Sequence, residues 1–236
     1  MSGLLGRGVL VNWGGVQAAS EADYNAWHSL EHMPERLSVP GFRRGRRCQA
    51  LDGAPESLRY FMMYEADEPQ VFVSEPYLAR LNDPTPWTRR ILSVYIAPSR
   101  TVCRVLASEG RGTGGWLATL QFGQMAPALP DESRLIAGMR EAMGLPGILG
   151  AHVLRGDSSL GQQPTAEKTF RESGGEPDRT VALALLIDGL DRDSTQAALD
   201  SALDGLSDAQ RRCATATLYR TQHVLADADV ARGAAL

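Results

Sequence analysis

The sequence predicts an α+β fold of two tandem βαββαβ repeats packed sheet to sheet in one chain, and three observations carry that expectation. The same succession of strand-like and helix-like patterns runs through residues 1–110 and again through 111–236. The stretch "LPGILGAHVLRG" at 145–156 echoes "VPGFRRGRRCQA" at 39–50, each a Pro-Gly step leading into a strand. A glycine-rich joint, "EGRGTGG" at 109–115, lies between the halves. One βαββαβ unit makes a four-stranded antiparallel sheet with both helices on one face, so the opposite face stays apolar and needs cover. The second unit supplies that cover, giving a pseudo-dimeric barrel with its helices outside.

The elements follow in order. Residues 4–13, "LLGRGVLVNW", are glycine-bounded and β-branched and read as the first strand. Ser20 is placed as an N-cap before "EADYNAWHSLEH", whose acids occupy the first turn of a helix. "PGF" at 40–42 ends that helix; "FRRGRRCQAL" and "YFMMYEA" at 60–66 are the next strands, around a turn-rich link holding Asp52, Gly53 and Pro55. A helix is expected from about Ser74 to Asn82, "PTPW" at 84–87 interrupts it, and "RTVCRVLAS" at 100–108 closes the first repeat. In the second repeat "WLATLQF" is a strand, and "DESRLIAGMREAMG" spaces Leu135, Ile136, Met139, Ala142 and Met143 as a helical face behind an acidic first turn. "TVALALLIDG" is the third strand, Ala197, Ala198, Leu199, Ala202, Leu203 and Leu206 line a second helix, and "CATATLYRTQ" closes the unit. The polar run 157–179, "DSSLGQQPTAEKTFRESGGEPDR", fits no element and is expected to be a mobile loop or a lid.

Composition bounds the function. The chain is 43% hydrophobic and 22% charged with a net charge of −4, and its basic run is short and not interleaved with aromatics, so no nucleic-acid partner is expected. No apolar run approaches the roughly twenty residues that span a bilayer, and the N-terminus lacks the order of charges and apolar residues of a leader. No membrane partner and a cytoplasmic location are expected. The three cysteines, Cys48, Cys103 and Cys213, are far apart and form no CxxC pair, which reads as reduced, buried thiols rather than a disulfide framework or thiolate zinc site.

Chemistry concentrates in Trp27 to Arg36, "WHSLEHMPER". At about 100° per residue Ala26, Trp27, Leu30, Met33 and Leu37 share one arc, with Tyr24 and Glu31 at its edge and His28 and His32 just beyond. Both histidines therefore border the buried stripe. The HxxEH spacing matches inverted-motif zinc peptidases, where an i, i+4 histidine pair converges on a metal; Glu109, Glu75 or Glu65 would have to be the third ligand. Against that reading, a pattern with three fixed letters arises by chance, Pro34 disturbs the helix directly beyond the second histidine, and the second-half helix offers nothing comparable. No metal and no other cofactor are assigned.

The run "YNAWHSLEHMPERLSVPGFRRGRR" resembles the first helix and second strand of the dimeric α/β-barrel superfamily, particularly its EthD-like proteins. There a tryptophan, a histidine followed soon by proline, and a closing "PGF" or "PGL" recur, matched here by Trp27, His32, Pro34 and Pro40-Gly41-Phe42. "PYLARLNDPTPWTRR" at 76–90 also looks like tandem members of the group. The resemblance covers roughly residues 20–105 and implies ferredoxin-like repeats forming an intrachain dimeric α/β-barrel, each repeat with a pocket between sheet and helices. It implies no single reaction, because the superfamily hosts cofactor-independent oxygenases, isomerases, lyases, haem proteins and members without known activity.

Aligning the Pro-Gly steps sets Pro146 against Pro40, His32 against Gly138 and Trp27 against Ser133, so the polar residues belong to the first repeat alone. If that pocket is catalytic, His32 is the candidate general acid/base, with His28 or Glu31 tuning or orienting it. Arg44, Arg46 and Arg47 alternate along the second strand, and at least one is expected to reach the pocket and hold a carboxylate or enolate; the blander reading is a solvated strand with surface ion pairs. Asn12, Trp27, Tyr64, Tyr77 and Trp87 are the remaining candidates for lining it, though aromatics at such positions also serve as core. The leading expectation is a metal-free small-molecule enzyme of lyase, isomerase or cofactor-independent oxygenase type, acting on an apolar, aromatic or polyketide-like carbonyl or carboxylate compound. Three alternatives stand beside it: a binding or accessory protein with the same pocket, a zinc hydrolase on the HxxEH stretch, and a haem protein with an axial histidine. Duplication removes the need for a partner subunit and leaves homo-oligomer formation open.

Overall fold

Period-two burial along the strands sorts the chain into an inner and an outer face. The computed structural model describes residues 3–161, 163–173 and 178–233. Eight antiparallel strands are present among them: β1 (Gly8–Val16), β2 (Phe42–Ala50), β3 (Tyr60–Ala66), β4 (Tyr95–Gly110), β5 (Trp116–Gly123), β6 (Ile148–Gly156), β7 (Val181–Gly189) and β8 (Ala214–Ala226). They close into one barrel in the order β1-β3-β2-β8-β5-β7-β6-β4. Each repeat keeps the ferredoxin-like order of its own four strands, β4-β1-β3-β2 and β8-β5-β7-β6. The two sheets face one another and are also bonded edge to edge, β2 to β8 and β4 to β6. Every strand thereby has two neighbours, and among the described residues no open sheet edge is left to recruit another chain.

The barrel interior is the joint product of both repeats. Val9, Val11, Trp13, Phe61 and Met63 from the first meet Leu117, Leu154, Ala184, Leu186 and Tyr219 from the second, all buried. A fully buried large apolar side chain contributes about 1.5–3 kcal/mol, so this shared core ties the halves into one cooperative body. Outside the barrel the second repeat is packed with apolar residues: Leu120, Phe122, Leu185 and Ile187 of the sheet against Leu135 and Met139 of α5 (Glu132–Met143) and Leu199 of α7 (Arg192–Asp204). The first repeat instead divides its outer core into two clusters. One gathers Leu10, Met33, Phe42, Tyr64, Phe72 and Tyr77, the other Val16, Tyr24, Trp27, Tyr60, Met62 and Leu92.

Both Pro-Gly steps are left-handed turns into a strand, with Gly41 at φ +94° and Gly147 at φ +81°, a backbone conformation that glycine adopts without strain. The helices depart from the sequence expectation at three places. "PTPW" does not merely interrupt: after α3 (Glu75–Asn82), Thr85 caps a further helix, α4 (Pro86–Leu92), by accepting from Thr88 N at 3.0 Å. The second repeat repeats the device in α8 (Asp208–Cys213), where Ser207 and Gln210 form a capping box. The polar run 157–179 is not loop throughout, since α6 (Ala166–Glu172) lies within it, capped by Thr165; residues 162 and 174–177 of that run lie outside the described ones. A last helix, α9 (Asp227–Gly233), follows β8.

The third departure is in the first helix. α1 (Glu21–Trp27) begins after Ser20, whose side chain makes no capping bond, and it joins α2 (Met33–Leu37) through a π-helical turn, His28–His32. Pro34 has no N–H to donate, and in a regular α-helix its ring would press on the carbonyl four residues back, that of Leu30. A turn closed from i to i+5 adds a residue and takes up the conflict. The register therefore breaks from 100° per residue: Leu30, expected in the core, is 73% exposed, while His28, expected just outside it, is fully buried.

Candidate active site

Between the two outer clusters of the first repeat lies a cavity of about 30 Å³. The sheet contributes Leu10 and Asn12 from β1, Met62 and Tyr64 from β3, and Tyr95 and Arg100 from β4. His32 and Arg36 enter from the first helix, Tyr77 from α3 and Leu92 from α4. Glu167 and Arg171 of α6 close it, so the second repeat also supplies part of the wall. A space this size holds a water or two; an engineered cavity that accepts benzene is roughly 150 Å³.

The π turn places the histidine pair. His32 stacks on the fully buried Trp27 indole, ring centroids 4.2 Å apart and 30° from parallel, and its Nδ1 is buried without a hydrogen bond. Burial, followed by the Arg36 guanidinium and His28, holds its pKa well below the ordinary 6.5. His32 is thus a neutral imidazole near pH 7, able to accept a proton. His28 lies behind it, ring centroids 5.6 Å apart, with Nε2 3.5 Å from the Tyr64 hydroxyl. Burial, Arg47 and His223 depress its pKa too. Tyr64 is pushed well above the usual tyrosine value, burial outweighing the nearby Arg36, so its phenol keeps its proton.

Arg36 is 1% exposed and forms an ion pair with Glu167, itself 4% exposed, across the repeats. Burial works against the guanidinium charge, and Glu167 overrides it. The fork is not fully used: Nη1 makes no hydrogen bond, and Glu35 Oε2 stands 3.5 Å from it. Arg100 donates to the Tyr77 hydroxyl at 3.0 Å, and Arg171 to Asp178 at 2.6 Å. The Asn12 Oδ1 is also buried and unbonded. Buried polar atoms without partners are uncommon, and here three residues that have them, Asn12, His32 and Arg36, border one cavity.

Of the residues singled out from the sequence, His32, Asn12, Tyr64 and Tyr77 line the cavity. His28 and Trp27 stand directly behind His32. Glu31 turns away to accept from Thr85 Oγ1 at 2.6 Å and Thr88 Oγ1 at 3.1 Å, fastening the π turn to α4. Trp87 donates to Asp23 at 2.9 Å in the same helix contact and is not in the wall. None of the three strand arginines lines the cavity, because the β2 pleat sends Arg44 and Arg46 into the barrel. Arg44 pairs with Glu65 there, and Arg46 is buried on Asp188. Asp188 is held at about 2, the desolvation of its buried carboxylate being outweighed by Arg46, and His152 Nε2 is 3.5 Å from it. Arg47 faces the helices instead, its guanidinium 5.9 Å from the Tyr24 ring centroid and bonded to Asn25 O at 3.1 Å. Arg46 and Arg47 are 2% and 6% exposed, so the strand is not a solvated ladder of surface ion pairs.

Sequence reasoning missed Arg36, Tyr95, Arg100, Glu167 and Arg171. Arg36 carried a signal, four residues beyond His32 on the same helix; Glu167 and Arg171 carried a fainter one, an i, i+4 pair inside a run read as loop. The HxxEH stretch does not assemble a metal site: Glu31 points to α4, Glu65 is engaged in the barrel, and among the described residues no three His, Cys, Asp or Glu side chains converge. The three thiols are free, with Cys48 and Cys103 buried and Cys213 partly so. No described helix is long and apolar enough to cross a membrane.

No protein-family model matches the chain, and no curated protein matches it in sequence. Solved structures do. An anthrone oxidase-like protein superposes with a TM-score of 0.59 at 10% identity, over 96% of each chain. A Fusobacterium nucleatum protein provisionally assigned as a monooxygenase gives 0.55 at 6% identity, over 94% of this chain and 96% of its own. With the closed eight-stranded barrel, these likenesses give the chain the dimeric α/β-barrel fold, both halves carried in one polypeptide.

Proposed function

We propose that this protein is a small-molecule enzyme in which neutral His32 removes a proton from an apolar substrate bearing a carbonyl or carboxylate. The observation that carries the reading is His32 itself, uncharged, stacked on Trp27 and with an unbonded Nδ1, in the wall of a cavity it shares with a buried guanidinium. In the step envisaged, the C–H bond next to a carbonyl breaks, the proton goes to the imidazole, and the electron pair moves onto the carbonyl oxygen as an enolate. Arg36 or Arg100 stabilises that oxygen. Leu10, Met62 and Leu92 suit an apolar skeleton, and the enclosure strengthens each electrostatic contact. The fold neighbours' oxidase-like and monooxygenase assignments fit substrates of this kind, while the chemistry rests on the side chains of this chain.

Solvent-deuterium exchange into the acidic C–H of anthrone and of aromatic keto acids, followed by NMR, tests the step without knowledge of the final product. The expected outcome is exchange catalysed by the wild type and reduced about 10²- to 10⁴-fold in His32→Asn, with an unchanged circular dichroism spectrum. Equal exchange rates in the two proteins would sink the assignment. A second reading, ligand binding without chemistry, is favoured by the closed state of the cavity. It predicts saturable ligand binding that survives His32→Asn, with no exchange in either protein.

A further inference from the structure

We propose that the His32 cavity takes an aromatic monocarboxylate whose carboxylate sits on Arg36, and that Glu167 of α6 occupies this position until the ligand displaces it. The proposal deepens the acid–base reading of the same cavity by naming the ligand class and the group that gives way.

The Arg36–Glu167 pair is the first ground. It joins two buried side chains from different repeats, and a buried ion pair stabilises a fold less well than apolar residues of the same volume, so its presence in a cavity wall calls for another role. Nη1 of the guanidinium has no hydrogen bond and meets only Glu35 Oε2, 3.5 Å away; a free carboxylate can engage both nitrogens of the fork, as Glu167 does not. Arg100 adds a second cation to the wall and donates to the Tyr77 hydroxyl; among the described residues no carboxylate forms an ion pair with it. Of the three lining guanidiniums, Arg171 is paired with Asp178 and Arg36 with Glu167, the one carboxylate in the wall, which leaves the charge of Arg100 for a ligand; Leu10, Met62 and Leu92 give the wall an apolar side next to its aromatic and polar residues.

Size is the second ground. At about 30 Å³ the cavity is far too small for an aromatic ring, so any such ligand requires the wall to retreat. Helix α6 is the element able to do so. It has seven residues, too few to be stable in isolation, and belongs to the 157–180 link between β6 and β7. The corresponding link in the first repeat, 51–59, is shorter and holds only one 3₁₀ turn, Glu56–Leu58, so this helix has no counterpart there and is laid over the first repeat. Its attachments include the Arg36 ion pair and a bond from Ala166 N to Asn82 Oδ1 at 3.3 Å. A ligand carboxylate that takes Arg36 removes one of them.

The test is calorimetric titration of the full chain with 2-naphthoate and with its neutral isostere 2-naphthamide. The wild type is expected to bind naphthoate at least about tenfold more tightly than the amide, and Glu167→Gln to gain about a further tenfold for naphthoate alone. The double variant Arg36→Gln/Glu167→Gln should lose the preference. Because either substitution can compromise folding, hydrogen exchange of the wild type is measured as well: naphthoate should raise exchange in the α6 amides and the amide ligand should not. Four results would each overturn the proposal: naphthamide binding as well as naphthoate, Glu167→Gln within about twofold of wild type, no naphthoate binding by either protein, or α6 protection unchanged at saturation. All of these readouts are of binding and amide exchange and need no turnover, so failure of the acid–base step leaves them standing.

Discussion

The burial that keeps His28 and His32 uncharged also makes the native state sensitive to acid. His28 and His32 both have pKa values well below the 6.5 of an exposed imidazole. Below pH 6.5 the unfolded chain therefore takes up protons at these sites and the native chain does not. The sign follows: stability is full above about pH 6.5 and declines as the pH falls from there toward the depressed native values, by up to about 1.4 kcal/mol per pH unit for each histidine. Urea unfolding at pH 7.5 and 5.5 should show that loss, and His28→Gln should flatten it; a wild-type midpoint independent of pH over this range would contradict the burial of the pair. In the barrel, Asp188 compensates the buried Arg46. Asp188→Asn leaves that guanidinium without its anion and should cost about 3–5 kcal/mol, read as a large fall in the denaturation midpoint.

At the scale of elements the π turn is the decisive feature. A regular helix would bury Leu30 and leave His28 at the margin; the added residue reverses this, turns both imidazoles inward and leaves Leu30 in solvent. Leu30→Lys should accordingly change stability by no more than about 0.5 kcal/mol, while Met33→Ala, at a fully buried position three residues on, should cost about 2–5 kcal/mol. Comparable losses in the two variants would restore the regular helical register. The pattern of apolar residues could not show this turn, because periodicity arguments assume one rotation per residue throughout. Pro34 signalled a disturbance but not its form. Helix α6 was hidden for a different reason: its buried face is made of Glu167 and Arg171, which read as solvent-facing residues until a partner such as Arg36 is brought across from the other repeat.

At the scale of the molecule, the two halves of the chain meet in an intrachain interface. Val9, Val11, Trp13, Phe61 and Met63 are covered by the second repeat, and the edges of β2 and β4 are paired with β8 and β6. A fragment of residues 1–110 would expose both the apolar face and the two strand edges, so sedimentation should find it dimeric or aggregated. A stable soluble monomer would show that the repeat closes its own face.

Local pattern was enough to give the eight strands, their two-fold arrangement and the Pro-Gly turns, while the expectation that polar chemistry belongs to one half is corrected by Glu167 and Arg171, which reach the cavity from the other. The strands, their arrangement and the turns rest on local or periodic properties: alternation, turn residues and self-similarity are written within short stretches of chain. The sequence also singled out His32, Asn12, Tyr64 and Tyr77, which meet at the cavity wall. Which arginines stand there follows from long-range packing. The strand residues Arg44 and Arg46 fall on the barrel side of the β2 pleat, and Arg36, Arg100 and Arg171 arrive from three separate elements. Charged residues carry no periodic mark of burial; whether a guanidinium is solvated or enclosed depends on the carboxylate opposite it, and for Arg36 that carboxylate lies 131 residues away in the other repeat.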